Sequence, residues 1–358
     1  MSAPRAGDRI PVAVLGATGA VGQAFVRLLA AHPWFRLAEV SASERSAGKS
    51  YRDAARWLSG ALPDDVAAMT VLATDPSAVR STLVFSALEA DAAAIAEPAF
   101  ARAGRFVLSN ASCFRMEQDV PLIIPEVNPE QLGLLVRQRE NREWKGAIVT
   151  NPNCAAIVIA MALAPLDRAF GLRKLFVSTM QAVSGAGYPG VPSLDILGNV
   201  VPFINKEEGK IESETVKLLS RVTAAGRLEM SPATVSAHAN RVPVEHGHTA
   251  VMSAAFETRP TPDEALAVLE SWRGDVSELA LPSSPARPLV ITREQDRPQP
   301  RRDADAGGGM AVTVGRVRAD PLFDIRLVAM GHNIIRGAAG ASILNAELLV
   351  ARGILRAM

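Results

Sequence analysis

A chain of 358 residues, 48% hydrophobic and 21% charged, has room for two domains that each bury a full core and has the composition of an ordinary soluble protein. A formal net charge of +1 gives no electrostatic ground for nucleic acid or an anionic membrane as partner. No stretch approaches the roughly 20 uninterrupted apolar residues of a membrane span, and the polar start Met1 to Arg9 lacks the apolar centre of a secretory signal. A cytoplasmic location is expected. Cys113 and Cys154 cannot build a disulfide framework, and five histidines without paired Cys or His spacing give no metal-site signature.

In chain order, Ile10 to Leu15 reads as a strand and Val21 to His32 as an apolar-faced helix. Between them lies Gly16-Ala17-Thr18-Gly19-Ala20-Val21-Gly22. Directly after a strand and opening a helix, such glycines allow a tight turn and bring backbone N–H groups to a phosphate at the helix start. Gly16, Thr18, Gly19, Ala20 and Val21 are therefore candidate dinucleotide contacts. Arg36 to Ser41 is the next strand. It leads into Ser41-Ala42-Ser43-Glu44-Arg45-Ser46-Ala47-Gly48-Lys49, where hydroxyls and cations suit a ribose 2′-phosphate better than a free hydroxyl. Ser43, Arg45 and Ser46 point to NADP, whereas Glu44 keeps NAD open. Strands at Thr82 to Ser86, Phe106 to Ser109 and Ala147 to Thr150, with Ala-rich runs between them, predict a parallel sheet with crossover helices.

The last of these strands runs into Asn151-Pro152-Asn153-Cys154-Ala155-Ala156 and then a long apolar helical stretch. Cys154 falls in the first helical turn, where unpaired N–H groups and the helix dipole favour a thiolate. On this segment alone the alternatives are a nucleophile and a small residue packed under a helix end. Beyond it the pattern changes. Strands at Arg173 to Val183 and Thr249 to Glu257, helices at Glu212 to Ser220 and Pro262 to Arg273, a surface loop from Arg297 to Gly309 and a helix from Gly337 predict an α+β domain with a largely antiparallel sheet. The expected division is a Rossmann-type α/β domain over 1–152, completed by a C-terminal helix over 334–358, and a catalytic and dimerisation domain over 153–333.

Several stretches together resemble aspartate-β-semialdehyde dehydrogenases, most closely the archaeal and fungal-type branch. They are the glycine loop with Ser-Glu-Arg-Ser-Ala-Gly-Lys, Ser109-Asn110-Ala111-Ser112 leading to Arg115-Met116, Asn151 to Ala155, Ser178 to Gly190, Glu212 to Lys217, Arg241-Val242-Pro243-Val244 with Gly247-His248-Thr249, and Gly331-His332-Asn333 with Arg336 to Gly340. The resemblance implies Cys154 as nucleophile, His248 as acid/base and Gln181 as the amide orienting the acyl group. It further implies Arg241 for the substrate α-carboxylate, Glu214 for its ammonium, and Arg115 with Lys217 for phosphate. Ser86, Asn110, Ser184, Gly185 and Asn333 would border NADP, and Cys113 would be structural.

His246 shares a strand face with His248 at a spacing of two residues and is its rival. Glu214 and Lys217, three apart on a helix, also read as a plain surface ion pair. The implied reaction is reduction of L-aspartyl-4-phosphate to L-aspartate-4-semialdehyde and phosphate by a homodimer or homotetramer. Alternatives are a malonyl- or succinyl-CoA reductase of the same fold branch, for which Glu214 would have no use, an N-acetyl-glutamyl-phosphate reductase, and a non-catalytic NADP-binding sensor or scaffold.

Overall fold

Six short apolar runs form one parallel sheet: β1 (Ile10–Leu15), β2 (Phe35–Ala42), β3 (Val71–Ala73), β4 (Leu83–Ser86), β5 (Phe106–Ser109) and β6 (Ala147–Thr150). They are near-continuously apolar because helices cover both faces, which leaves no solvated side to alternate with. In this computed structural model the described residues are 9–58 and 60–355. The start up to residue 8 and the last three residues of the expected terminal helix fall outside them. The sheet order is β3-β2-β1-β4-β5-β6, so the winding reverses between β1 and β4. In such a sheet the crevice for a ligand opens beyond the carboxyl ends of the strands at the reversal.

The rest of the chain adds β7 (Leu172–Gln181), a short hairpin of β8 (Arg221–Val222) and β9 (Leu228–Glu229), then β10 (Thr234–Arg241), β11 (His248–Phe256), β12 (Leu289–Ile291), β13 (Val312–Ala319) and β14 (Ile325–Gly331). The second sheet runs β10-β7-β11-β14-β13-β12. Its centre is antiparallel, as expected, but both edges are parallel: β10 follows β7, and β12 follows β13. One face is covered by the helix Cys154–Phe170, whose residues from Ala155 to Leu166 are all buried. The opposite face leaves Phe176, Met180 and Val251 exposed. Phe176 pairs with Ser253 and Val251 with Ser178 in register, so these residues share that uncovered side.

Two departures from the sequence reading matter for the site. The helix expected from Glu212 begins five residues earlier and spans Glu207–Leu218, after Lys206 in a left-handed conformation at φ 59°. No Ser, Thr, Asp or Asn caps it, and Gly209 weakens its helical signature, but Glu207 and Glu208 in the first turn suit the dipole. The expected loop from Arg297 holds a helical turn, Pro300–Asp303. At the end of the chain, a π-helical turn (Ile335–Ala339) precedes the helix Gly340–Ala351. That helix returns to the first sheet, with Ile343, Leu344, Leu348 and Leu349 packed in the core of β1, β2 and β4. Arg336 fastens the return. Fully enclosed, it makes two bonds of 2.7 and 2.8 Å to Glu126, an ion pair whose one-sided loss costs about 3–5 kcal/mol.

Candidate active site

The turn after β1 is built around close backbone approach. Gly16 sits at φ +70°, and a side chain at Gly22 would run into the Gly16 carbonyl oxygen. The helix that follows, Ala20–Leu29, starts with no side-chain cap, so its first N–H groups are open to an anion. Ala17 N–H donates to Ser41 O (2.9 Å), which fixes the turn beside the end of β2. There Ser43 and Arg45 are exposed and Ser46 is half-buried. This cradle fits a dinucleotide pyrophosphate, with the Ser43–Ser46 turn beside it. Ser86 is a correction. It is completely enclosed, with its Oγ turned to the buried Glu97 carboxyl, so its side chain does not reach the cavity; the neighbouring Ala87 and Leu88 form the wall instead.

A cavity of about 720 Å³ runs from the Ala20-Val21 helix start past Asn110 and Arg115 to Cys154. Ser184, Gly185 and Asn333 close its far side. Eight of the residues singled out in the sequence thus meet in one cavity. Cys154 is the first residue of its helix, and Asn153 caps that helix by accepting from Ala155 N (2.9 Å) and Ala156 N (3.1 Å). Gly337 in the π-turn lies against it: a Cβ there would stand 2.5 Å from the Cys154 Cβ.

The helix start does not make Cys154 a thiolate in the ligand-free site. Burial first, and then the Glu207 carboxylate, push the thiol up to about 12, outweighing Arg115 and Arg241. Cys113 is likewise held up, to about 11, by burial and Glu97, and does not line the cavity.

Behind Gly185 stands a clamp on one backbone residue, Ala182. Its carbonyl accepts from Arg241 Nη1 (2.8 Å), and its N–H donates to His248 Nδ1 (3.1 Å). Nδ1 therefore serves as the acceptor, which places the proton of neutral His248 on Nε2. Nε2 is buried without a protein partner. Burial, then Arg241 and His332, lower this histidine to about 3. Gly185 lies against both side chains, and its lack of a Cβ leaves them room, since a Cβ on it would be 2.9 Å from Arg241 Nη1 and 3.1 Å from the His248 ring. Gln181 ends β7 opposite Arg241 of β10 and donates to Thr179 Oγ1 at 3.3 Å.

His246 turns elsewhere. It stacks on His332 at 4.8 Å and bonds Ser184 Oγ at 3.0 Å, in an adjoining cleft lined by Trp57 and Tyr188 that shares Ala20, Ser184, Gly187 and Ile334 with the main cavity. Asn333 joins these segments, donating to Ser184 Oγ (2.8 Å) and accepting from Gly247 N–H (2.9 Å).

The Glu207 helix overturns two assignments. Lys217 is completely buried and donates to the carbonyls of Arg115 (2.6 Å), Glu117 (2.7 Å) and Val120 (2.8 Å), so all three of its donors are committed and none is left for phosphate. Burial lowers it to about 8. Glu214, 2% exposed, accepts from Arg115 Nη1 (2.9 Å) and Asn153 N–H (2.6 Å), which leaves no free oxygen aimed at an ammonium. The groups facing the cavity lie earlier on the helix. Lys210 lines it with Asn205 and Lys206, and Glu207 accepts from Asn153 Nδ2 at 2.8 Å beside the thiol.

Sequence reading missed Glu207 and Lys210 because the helix was started after them. It also passed over Glu97, a buried carboxyl raised to about 7 by burial, which accepts from Ser109 Oγ (2.7 Å) beneath the Asn110 loop. Among the described residues no group of three or more His, Cys, Asp or Glu is placed to hold a metal ion.

Comparison with known proteins agrees with this geometry. A family model for a semialdehyde dehydrogenase NAD binding domain matches residues 11–135, and one for a semialdehyde dehydrogenase dimerisation domain matches 163–336. An aspartate-semialdehyde dehydrogenase of Archaeoglobus fulgidus is 50% identical over 97% of this chain and 100% of its own length. One from Methanothermobacter thermautotrophicus is 51% identical over 95% and 99%. A crystal structure of aspartate semialdehyde dehydrogenase with NADP from Candida albicans superposes with a TM-score of 0.90 at 40% identity, covering 97% of this chain and all of that one. With a thiol, a dinucleotide cradle and a cationic rim meeting in one cavity, and relatives matching nearly end to end, the chain belongs to the aspartate-semialdehyde dehydrogenase family.

Proposed function

We propose that this protein catalyses the reversible NADPH-dependent reduction of L-aspartyl-4-phosphate to L-aspartate-4-semialdehyde and phosphate, on the route to lysine, methionine, threonine and isoleucine. The observation that carries this reading is the Cys154 thiol at a helix start, lining one cavity together with the uncapped glycine-loop helix and with Arg115 and Lys210. NADP is the cofactor of the Candida albicans relative's crystal structure, and the Ser43-Glu44-Arg45-Ser46 turn suits its 2′-phosphate.

Cys154 Sγ attacks the acyl carbon of the acyl phosphate, the carbon–oxygen bond to phosphate breaks, and the thiol proton leaves with the phosphate. Arg115 and Lys210 receive that anion. The acyl group stays on sulfur as a thioester, oriented by Gln181. NADPH, when bound, supplies the hydride. Hydride addition leaves a hemithioacetal oxyanion on Cys154; His248 presents Nε2–H to that oxygen as a hydrogen-bond donor, already formed because Ala182 occupies Nδ1, and collapse of the oxyanion breaks the carbon–sulfur bond, releasing the aldehyde and a thiolate that takes a proton from solvent. Arg241 holds the α-carboxylate and Glu207 the α-ammonium. A cation placed on Glu207 removes the charge that opposes ionisation of Cys154, so the substrate itself lowers the thiol. Glu207 thus takes over the argument first made for Glu214 against an acyl-CoA substrate.

The uncovered sheet face with Phe176, Met180 and Val251, and the arm carrying Leu194, Leu197 and Phe203, all exposed, fit a second copy of the chain in a homodimer or homotetramer. No described helix is long and apolar enough to cross a membrane, and the cytoplasm is the proposed location.

The test is a rise in NADPH absorbance on mixing the full chain with NADP, phosphate and aspartate semialdehyde. No rise overturns the reading. Faster turnover of malonate or succinate semialdehyde with coenzyme A than of aspartate semialdehyde with phosphate replaces it with the acyl-CoA reaction.

A further inference from the structure

Four charged groups of the site's helix take no part in the reaction above: Glu208 and Glu212 accept from backbone N–H groups of β10, whereas Glu214 and Lys217 are buried against the loop carrying Arg115. Lys217 holds that loop through backbone carbonyls alone. Glu214 does something different. One oxygen takes the Arg115 guanidinium at 2.9 Å, and the other takes the N–H of Asn153 at 2.6 Å, the residue immediately before Cys154. Asn153 in turn caps the Cys154 helix. Arg115 is otherwise fixed by a 2.6 Å bond from Nη2 to Asn110 O, and its buried Nε has no protein partner, so it lines the cavity with guanidinium donors to spare.

A single carboxylate thus bridges the anion-facing cation and the turn that presents the nucleophile. Anything that pulls Arg115 toward the cavity also pulls on that bridge and redistributes the charge that Arg115 shares between Glu214 and the thiol. We propose that Glu214 is a positioning residue that couples an oxyanion at Arg115 to the reactivity of Cys154, so that the phosphate subsite and the nucleophile respond as one unit. This rests on the reading that Arg115 receives the phosphate.

The experiment uses the full-length enzyme and two readouts. One is KM for inorganic phosphate in the oxidative direction, and the other is the rate of Cys154 alkylation by iodoacetamide without phosphate. E214Q is expected to raise phosphate KM at least tenfold and to speed alkylation severalfold, because Arg115 then acts on the thiol without its counter-charge, while KM for NADP stays within twofold. K217M, which frees the loop but not the Asn153 turn, is expected to raise phosphate KM and leave alkylation unchanged. The proposal is overturned if E214Q moves only one readout or neither, or if K217M moves both to the same extent.

Should E214Q lose its cooperative melting transition, E214D is read instead: it keeps the counter-charge but is too short to span both partners, so it is expected to move both readouts in the same directions by a smaller factor, and movement in only one of them, or in neither, overturns the proposal. R115K separates the two levels of argument. An unchanged phosphate KM in R115K removes the underlying reading of Arg115, whatever Glu214 does.

Discussion

The same pair of side chains occurs twice on one helix, seven residues apart, and the two copies do opposite work. Glu207 and Lys210, 3.9 Å apart, lie at the helix start, with Lys210 at the cavity and Glu207 beside the thiol. Glu214 and Lys217 repeat the spacing two turns on and are enclosed, serving a loop rather than a ligand. Residue type and interval are identical, so neither decides which pair meets substrate. Depth decides: a Lys with three carbonyls around it has no donor to offer, and a half-exposed Lys at a cavity rim does.

The largest expected effect tests the premise that both pairs serve one nucleophile. C154A should cut turnover by roughly 10⁴-fold or more while NADP binding, followed by fluorescence titration, is retained; substantial residual turnover would dissolve the comparison, since there would be no thiol to serve. Next come the two lysines themselves. K217M strands the buried carbonyls of Arg115 and Val120 and should cost about 2–5 kcal/mol in denaturant unfolding. K210M should unfold like the parent, yet weaken phosphate by about 1.5–3 kcal/mol, roughly ten- to hundredfold in KM. Equal stability of the two variants would break the contrast.

G337A sharpens it from the far side of the thiol. A methyl group 2.5 Å from Cys154 Cβ forces the π-turn or the nucleophile to move; we expect about 1–3 kcal/mol of destabilisation and a fall in kcat exceeding that in KM. The smallest effect concerns pH. His332 is lowered to about 4, mainly by burial. Its contribution to stability is full above the ordinary value near 6.5 and is lost as pH falls toward 4, because the unfolded chain then binds the extra proton. Between pH 7 and 5 the parent should therefore lose roughly 2–4 °C more in Tm than H332N.

The parallel sheet was legible because its strands are apolar runs punctuated by glycine turns, and β1, β5 and β6 fall where the pattern puts them. The Cys154 helix was legible from its Asn-Pro entry. What was not legible depends on depth and neighbours. Ser86 closes a strand end in the expected place but points into the core. The thiol's ionisation could not be read from a helix start, since enclosure and Glu207, more than 50 residues away in the chain, outweigh the dipole. His246 and His248 separate only because Ala182 captures one and His332 stacks on the other. The parallel edges of the second sheet leave no mark in local periodicity, because strand direction is set by connections rather than by alternation.

The bond from Ala182 N–H to His248 Nδ1 has a consequence for the direction in which the resting enzyme is prepared. A backbone amide cannot change its role from donor to acceptor, so it writes one tautomer into the imidazole before any ligand arrives. With its proton on Nε2, the neutral histidine is held as a hydrogen-bond donor for the negative charge that gathers on the acyl oxygen, and it needs no change of tautomer before the hydride arrives. In the opposite cycle the ring can accept a proton at Nε2 only after the Ala182 bond breaks and the ring proton moves to Nδ1.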